Sequence, residues 1–178
     1  MSSQGLSYVV VSGPPGSGKT TLARELAPRL GLPLFAKDTI KEALMEVLGA
    51  PDLESSRRLG TASVTALLAL AADNGCGVLE SVWHRTRAIP DLRRLPGPIV
   101  EVFCSCGRDV VEKRYRARAG CRDEGHFAHE RRPEELWNDE VAVPVAGGWA
   151  VIEVDTNGPV DVPDLAQRVR ATAFRHGM

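Results

Sequence analysis

Short apolar runs alternate along this chain with longer segments in which apolar positions recur every three or four residues. Unbroken short runs suit strands buried on both faces, and the longer period suits helices laid against them. The pattern predicts βαβ units around a parallel sheet. Strands are expected at Leu6–Ser12, Pro33–Ala36, Gly77–Ser81, Pro98–Cys104 and Trp149–Val154. One helix is expected at Lys19–Leu30, where Leu22, Leu26 and Leu30 share a face and Gly31 stops the run. Another is expected from a cap at Asp38 to Leu48. Leu53–Asp73, Arg85–Leu95, Arg108–Arg118 and Val162–Phe174 complete the helices, and residues 119–133, polar and aperiodic, read as a loop. The fold class that follows is α/β, a three-layer, doubly wound, five-stranded parallel sheet, in a single domain over residues 1–178.

Between the first strand and the first helix stands Gly13-Pro14-Pro15-Gly16-Ser17-Gly18-Lys19-Thr20, a full match to GxxxxGK[ST], followed by Thr21. The chemistry requires these residue types. Glycines let the backbone turn so that successive N–H groups point at phosphate oxygens, and the helix N-terminus adds positive potential. Lys19 supplies a mobile charge to the β- and γ-phosphates, and the Thr20 hydroxyl is placed for Mg²⁺. ATP and Mg²⁺ are the expected cofactors. No NKxD string is present to read guanine, and Asp155-Thr156-Asn157-Gly158 lies at the last strand, away from where a γ-phosphate sensor belongs.

Composition narrows the partners. Of the 178 residues 25% are charged, with a net charge of −1 and only two Tyr and four Phe. A global field or stacking face for nucleic acid is therefore not expected. No apolar run reaches membrane-spanning length and the N-terminus has no basic leader, so no membrane partner is expected and a cytoplasmic monomer or homodimer is. Cys76, Cys104, Cys106 and Cys121 match no zinc or redox spacing and are expected to be structural.

Three segments carry a resemblance: GPPGSGKTTLARELAPRLGLPLFAKDTIKEAL, VLESVWHR and EKRYRARAG. They resemble the small P-loop kinases grouped with gluconate, shikimate and adenylylsulfate kinases and chloramphenicol phosphotransferase, and among these the short actinobacterial kinase-like proteins. The resemblance implies an ATP-dependent phosphotransferase whose γ-phosphoryl group goes to a small-molecule hydroxyl. It implies that Asp38 accepts the proton of that hydroxyl. Placement agrees, since Asp38 follows the second strand at the carboxyl end of the sheet, although an aspartate there also suits a helix cap.

Lys41, one turn further on, faces either the acceptor or solvent. Glu80 ends the third strand, and its role stands open between Mg²⁺ and the acceptor. Trp83, His84 and Arg87 suit the walls of an acceptor pocket; a Trp packed under the sheet and a surface Arg are the plainer alternative. His84 has no partner at metal-ligand spacing, so no zinc is expected. The basic stretch from Lys113 to Arg132 reads as a lid over about residues 114–133. By resemblance Arg114 and Arg118 reach over the triphosphate, with Arg122 and His126 as secondary candidates.

A composition rich in Arg, Ala, Val and Gly with only four lysines points to a high-GC actinobacterial source, where small kinases of this kind sometimes inactivate antibiotics. A sugar or nucleoside antibiotic is thus the leading acceptor and a metabolic sugar the next. A nucleotide or polynucleotide 5′-kinase and a non-catalytic ATP-binding regulatory module are the rival readings.

Overall fold

A computed structural model describes residues 7–119, 127 and 130–176. Five strands, β1 (Tyr8–Ser12), β2 (Leu34–Ala36), β3 (Gly77–Glu80), β4 (Ile99–Ser105) and β5 (Ala150–Asp155), form one sheet in the order β2-β3-β1-β4-β5. Every pairing is parallel. The helices are α1 (Lys19–Leu30), α2 (Lys37–Leu48), α3 (Leu53–Asn74), α4 (Arg85–Leu92), α5 (Arg108–Ala119), the short α6 (Pro133–Leu136) and α7 (Val162–His176). The doubly wound α/β expectation holds, with boundaries shifted by one to three residues. The α6 turn begins at Pro133, the last residue of the stretch expected to be a loop.

β1 explains the unbroken apolar run. Val9 and Val11 enter one core with Leu22 and Leu26 of α1 and Leu165 and Val169 of α7. Tyr8 and Val10 enter the other, with Leu67 of α3, Leu79 of β3 and Leu92 of α4. Both faces of the strand are therefore dry, as a central parallel strand requires.

One buried polar group interrupts this apolar pattern. Glu101, in mid-β4, is fully buried and receives four hydrogen bonds. Ser12 Oγ donates at 2.5 Å, the Val145 and Ala146 amides at 2.7 and 2.8 Å, and Trp149 Nε1 at 2.9 Å. A buried carboxylate is tolerated only when its oxygens are satisfied in this way. The network ties the end of β1 to the 145–149 loop. Glu101→Leu should leave these donors without an acceptor and lower stability by roughly 3 kcal/mol or more. Urea unfolding checks this, and a loss under about 1 kcal/mol would make the network incidental.

Candidate active site

At the carboxyl end of β1 the chain must reverse into α1 without side chains in the way. Gly16 sits at φ 90°, and a Cβ there would lie 2.3 Å from the Val111 carbonyl oxygen of α5, so the loop backbone is seated directly on a helix. Gly13, at φ 134°, presses likewise on the Cys104 carbonyl. Gly18, in the left-handed region, precedes α1, and no side chain caps the helix N-terminus, the arrangement that suits an anion. Lys19 is buried and its Nζ donates to the Pro14 carbonyl at 2.8 Å. The loop is held from outside by Trp137, whose indole N–H donates to the Pro15 carbonyl at 3.0 Å. Tyr115 meets Trp137 edge-on at 5.4 Å, joining α5 to this clasp.

A cleft of about 570 Å³ opens over the loop. Lys19, Thr20, Asp38 and Glu80 line it at one end, with Pro15, Gly16 and Gly18 of the loop. The parallel register explains the proximity, because Val11 pairs with Glu80 two positions before Gly13. Glu80 is buried and hydrogen-bonded to the Thr20 side chain, with Lys19 and Asp38 close enough to act on it electrostatically. Burial raises its pKa, the nearby Asp38 adds to the rise, and Lys19 and Thr20 oppose it. A hydroxyl and a carboxylate in contact are hard oxygen donors suited to Mg²⁺, which keeps several waters and needs few protein ligands. Thr20 and Glu80 fit that ion, and its role when bound would be to offset phosphate charge.

Asp38 is not the cap of α2. The helix begins two residues earlier than a cap at Asp38 would set it, with Ala36 at the N-cap position and no side-chain cap, because Lys37 already has helical geometry. Asp38 instead occupies the first turn, where its charge complements the helix dipole. Its carboxylate bonds Lys37 Nζ at 2.9 Å and lines the cleft.

Lys41, Trp83, His84 and Arg87 line the same cleft. Trp83 does both jobs expected of it, since it is buried in the core under β3 while lining the cleft. Its indole N–H has no hydrogen-bond partner. The pKa of His84 is lowered by desolvation first and by Arg87 next, with Glu140 opposing, which keeps the imidazole neutral at neutral pH. Cys104 is inert, its thiol pushed up to about 12 by burial.

The lid residues divide. The Arg114 guanidinium donates to the Thr156 and Asn157 carbonyls at 2.8 and 3.1 Å and does not line the cleft. α5 leaves β4 beside β5, so its Arg114 face meets the carbonyls that follow β5. Arg118 belongs to α5, but its side chain lies outside the described residues, as do Arg122 and His126. Among the described residues of this stretch, Arg131 is the cation that lines the cleft.

Reading the sequence for motifs also missed the α3 wall of Ser56, Arg57 and Gly60. The available signal was Ser56, Gly60 and Ser63, small or polar residues spaced four and three apart along an otherwise apolar helical face.

A family profile described as an AAA domain matches residues 9–142, three quarters of the chain, from β1 past α6. The chain belongs to this AAA domain family. It carries the phosphate loop, Asp38 and Glu80 within the matched span. A provisionally named kinase from Chloroflexus aurantiacus superposes on this AAA domain with a TM-score of 0.82 and 28% identity, over 94% of this chain and 98% of that one. The shikimate kinase of Acinetobacter baumannii shares the fold, with a TM-score of 0.60 at 20% identity over 96% of this chain and 94% of its own. The resemblance to small P-loop kinases therefore holds. An uncharacterised protein of Mycobacterium tuberculosis is 32% identical over 126 residues, 62% of this chain. The match spans only about a quarter of that protein's length, 25%. The cytidylate kinase of Ignicoccus hospitalis is 45% identical over 49 residues, 28% of either chain.

The raised pKa of Glu80 sets a pH dependence. The native state holds this proton more tightly than the unfolded chain, so stability from this group is present at low pH and falls as pH rises through the native value. Glu80→Gln removes that loss. Its melting temperature should exceed wild type at pH 7, and the gain should shrink as pH falls toward 4. A gain that is constant across this range would refute the assignment.

Proposed function

We propose that this domain is an ATP:alcohol phosphotransferase that uses Mg²⁺ and acts on a hydroxyl of a small molecule, with sugar and nucleoside scaffolds, including antibiotics, as the acceptor class. The observation that carries this reading is the single cleft in which the phosphate loop, Thr20, Glu80 and Asp38 meet. A sensor that binds ATP without transfer has no use for a carboxylate beside the γ-phosphate end. Bound ATP supplies the γ-phosphoryl group, and Mg²⁺ offsets charge on it. Lys19 exchanges its hold on the Pro14 carbonyl for the β- and γ-phosphates. Asp38 orients the acceptor hydroxyl and takes its proton as the new P–O bond forms and the bond to ADP breaks. Arg131, on the cleft wall, is the candidate for charge developing in transfer.

The identity with cytidylate kinases favours a second reading, in which the acceptor is a nucleotide phosphate. A panel of sugars, nucleosides, nucleoside antibiotics and CMP, scored for ADP release above the acceptor-free background, separates the two. A panel with no release for any acceptor would favour the non-catalytic module instead.

Lys19→Met should lower transfer by well over tenfold, because an electrostatic contact of this kind contributes roughly 3 kcal/mol. Turnover within tenfold of wild type would sink the loop's catalytic role. Asp38→Asn should lower kcat by roughly 10² to 10⁴ while the melting temperature and ATP Kd stay near wild type. With Asp38 off the cap position, Asp38→Ala should cost about 1 kcal/mol, from the dipole contribution and the ion pair with Lys37. An Asn variant with wild-type kcat would reduce Asp38 to a bystander.

A further inference from the structure

The phosphate loop opens with a turn whose central peptide has two possible directions. The Ser17 amide donates to the Pro14 carbonyl at 3.1 Å, which closes a four-residue turn from Pro14 to Ser17. Pro15 holds its second position, where the ring sets φ at about −65°. Gly16 holds the third, at φ 90°. Proline followed by a residue of positive φ makes this a type II turn. Types I and II share their ends and differ in the direction of the peptide between the two central residues. Both accept proline at the second position, and glycine at the third adopts either sign of φ. The residues of the turn therefore leave the Pro15–Gly16 peptide free to flip, and a contact from outside can hold it.

Trp137 makes that contact. Its indole N–H donates to the Pro15 carbonyl at 3.0 Å. Pro15 and Gly16 line the cleft and Trp137 does not, so the indole reaches the carbonyl from behind the loop. In a trans peptide the C=O and the N–H point in opposite directions. A Pro15 carbonyl turned out to Trp137 therefore turns the Gly16 N–H in toward the cleft. Among the described residues that amide meets no acceptor. Neither Pro14 nor Pro15 carries an N–H, so Gly16 is the first residue after Gly13 that can offer one to a phosphate.

The donor is anchored apart from the loop. Tyr115 of α5 packs edge-on against the Trp137 ring at 5.4 Å. On one side of Trp137, Glu135 pairs with Arg57 of α3 at 2.8 Å, and Leu136 is buried. On the other, the Glu140 carboxylate accepts from the Thr86 amide and hydroxyl at 2.8 and 2.7 Å, at the start of α4. The segment over 133–140 thus runs from α3 to α4 and presents the indole at a set place. We propose that Trp137 is a positioning residue for nucleotide binding: its N–H holds the Pro15–Gly16 peptide so that the Gly16 amide is aimed at the phosphate chain before the ligand arrives. Trp137 acts through Gly16 and not by contact with the nucleotide. The inference rests on the loop taking ATP, as the phosphotransferase reading requires, and is independent of the acceptor.

The test titrates the full chain with a non-hydrolysable ATP analogue and Mg²⁺ by calorimetry, and follows the Gly16 amide by NMR in ¹⁵N-labelled protein. Trp137→Phe keeps a ring against Tyr115 and removes the N–H. Its Kd for the analogue should rise about tenfold, the weakening expected when one charge-assisted hydrogen bond is misaimed. The displacement of the Gly16 amide resonance on ligand addition should shrink with it. Melting curves without ligand establish that the variant is folded. Should it not fold, Trp137→benzothienylalanine makes the same comparison, since it keeps the bicyclic shape with sulfur in place of the N–H. A folded variant that binds within about threefold of wild type, or binds more weakly with an unchanged Gly16 displacement, would overturn the proposal. Absence of binding to the wild type would overturn it together with the ATP reading. The expected pattern in a protein that phosphorylates no acceptor would uphold the role of Trp137 and refute the phosphotransferase reading.

Discussion

The structure depends on the placement of β1 between β3 and β4 in parallel register. A parallel ladder brings the carboxyl ends of neighbouring strands to one edge, and the loops that leave them therefore share one space. The pairing of Val11 with Glu80 and of Ser12 with Phe103 sets the phosphate loop between the last residue of β3 and the start of α5. Burial of β1 on both faces fixes that register, since a slip of one residue would exchange the two cores. Glu101 adds a polar constraint. By gathering Ser12 and the 145–149 loop it holds the strand end from which Gly13 departs.

Upon this frame the cleft concentrates charge that the fold would be more stable without. Glu80 is buried beside Lys19 and near Asp38, and Lys41 is buried against Ser56. Folding gains little from such groups, because desolvation offsets their mutual attraction. Dry, prepositioned charge acts strongly on a phosphoryl group, and it does so without reorganising when the ligand arrives. The unpartnered indole N–H of Trp83, in the core yet beside the cleft, belongs to the same polar cost.

Arginines clustered in sequence take up separate partners in the fold. Arg114 and Arg116 look equivalent along the sequence, yet each answers to a different neighbour. Arg114 meets the carbonyls that follow β5, and Arg116 pairs with Glu112 on its own helix. Arg131, beyond the helix, reaches the cleft because the α6 segment is clasped to the phosphate loop by Trp137. Sequence proximity to a lid motif says nothing of which guanidinium finds an unsatisfied oxygen first.

Local chemistry determined much of this protein in advance. The strand-loop-helix context of residues 13–20 identifies phosphate binding, because the glycine conformations, the lysine and the threonine are needed at that spacing whatever surrounds them. Apolar periodicity likewise sufficed for five strands and their helices, since it reflects burial directly. Asp38 and Glu80 were legible as strand-end carboxylates. Tertiary structure alone decided that Asp38 lies inside the first turn rather than capping it, and that Glu80 touches Thr20. It also decided that α3 supplies a wall and that Lys41 is dry. These facts depend on which elements pack side by side, and residues far apart in the chain carry no local trace of their eventual neighbours.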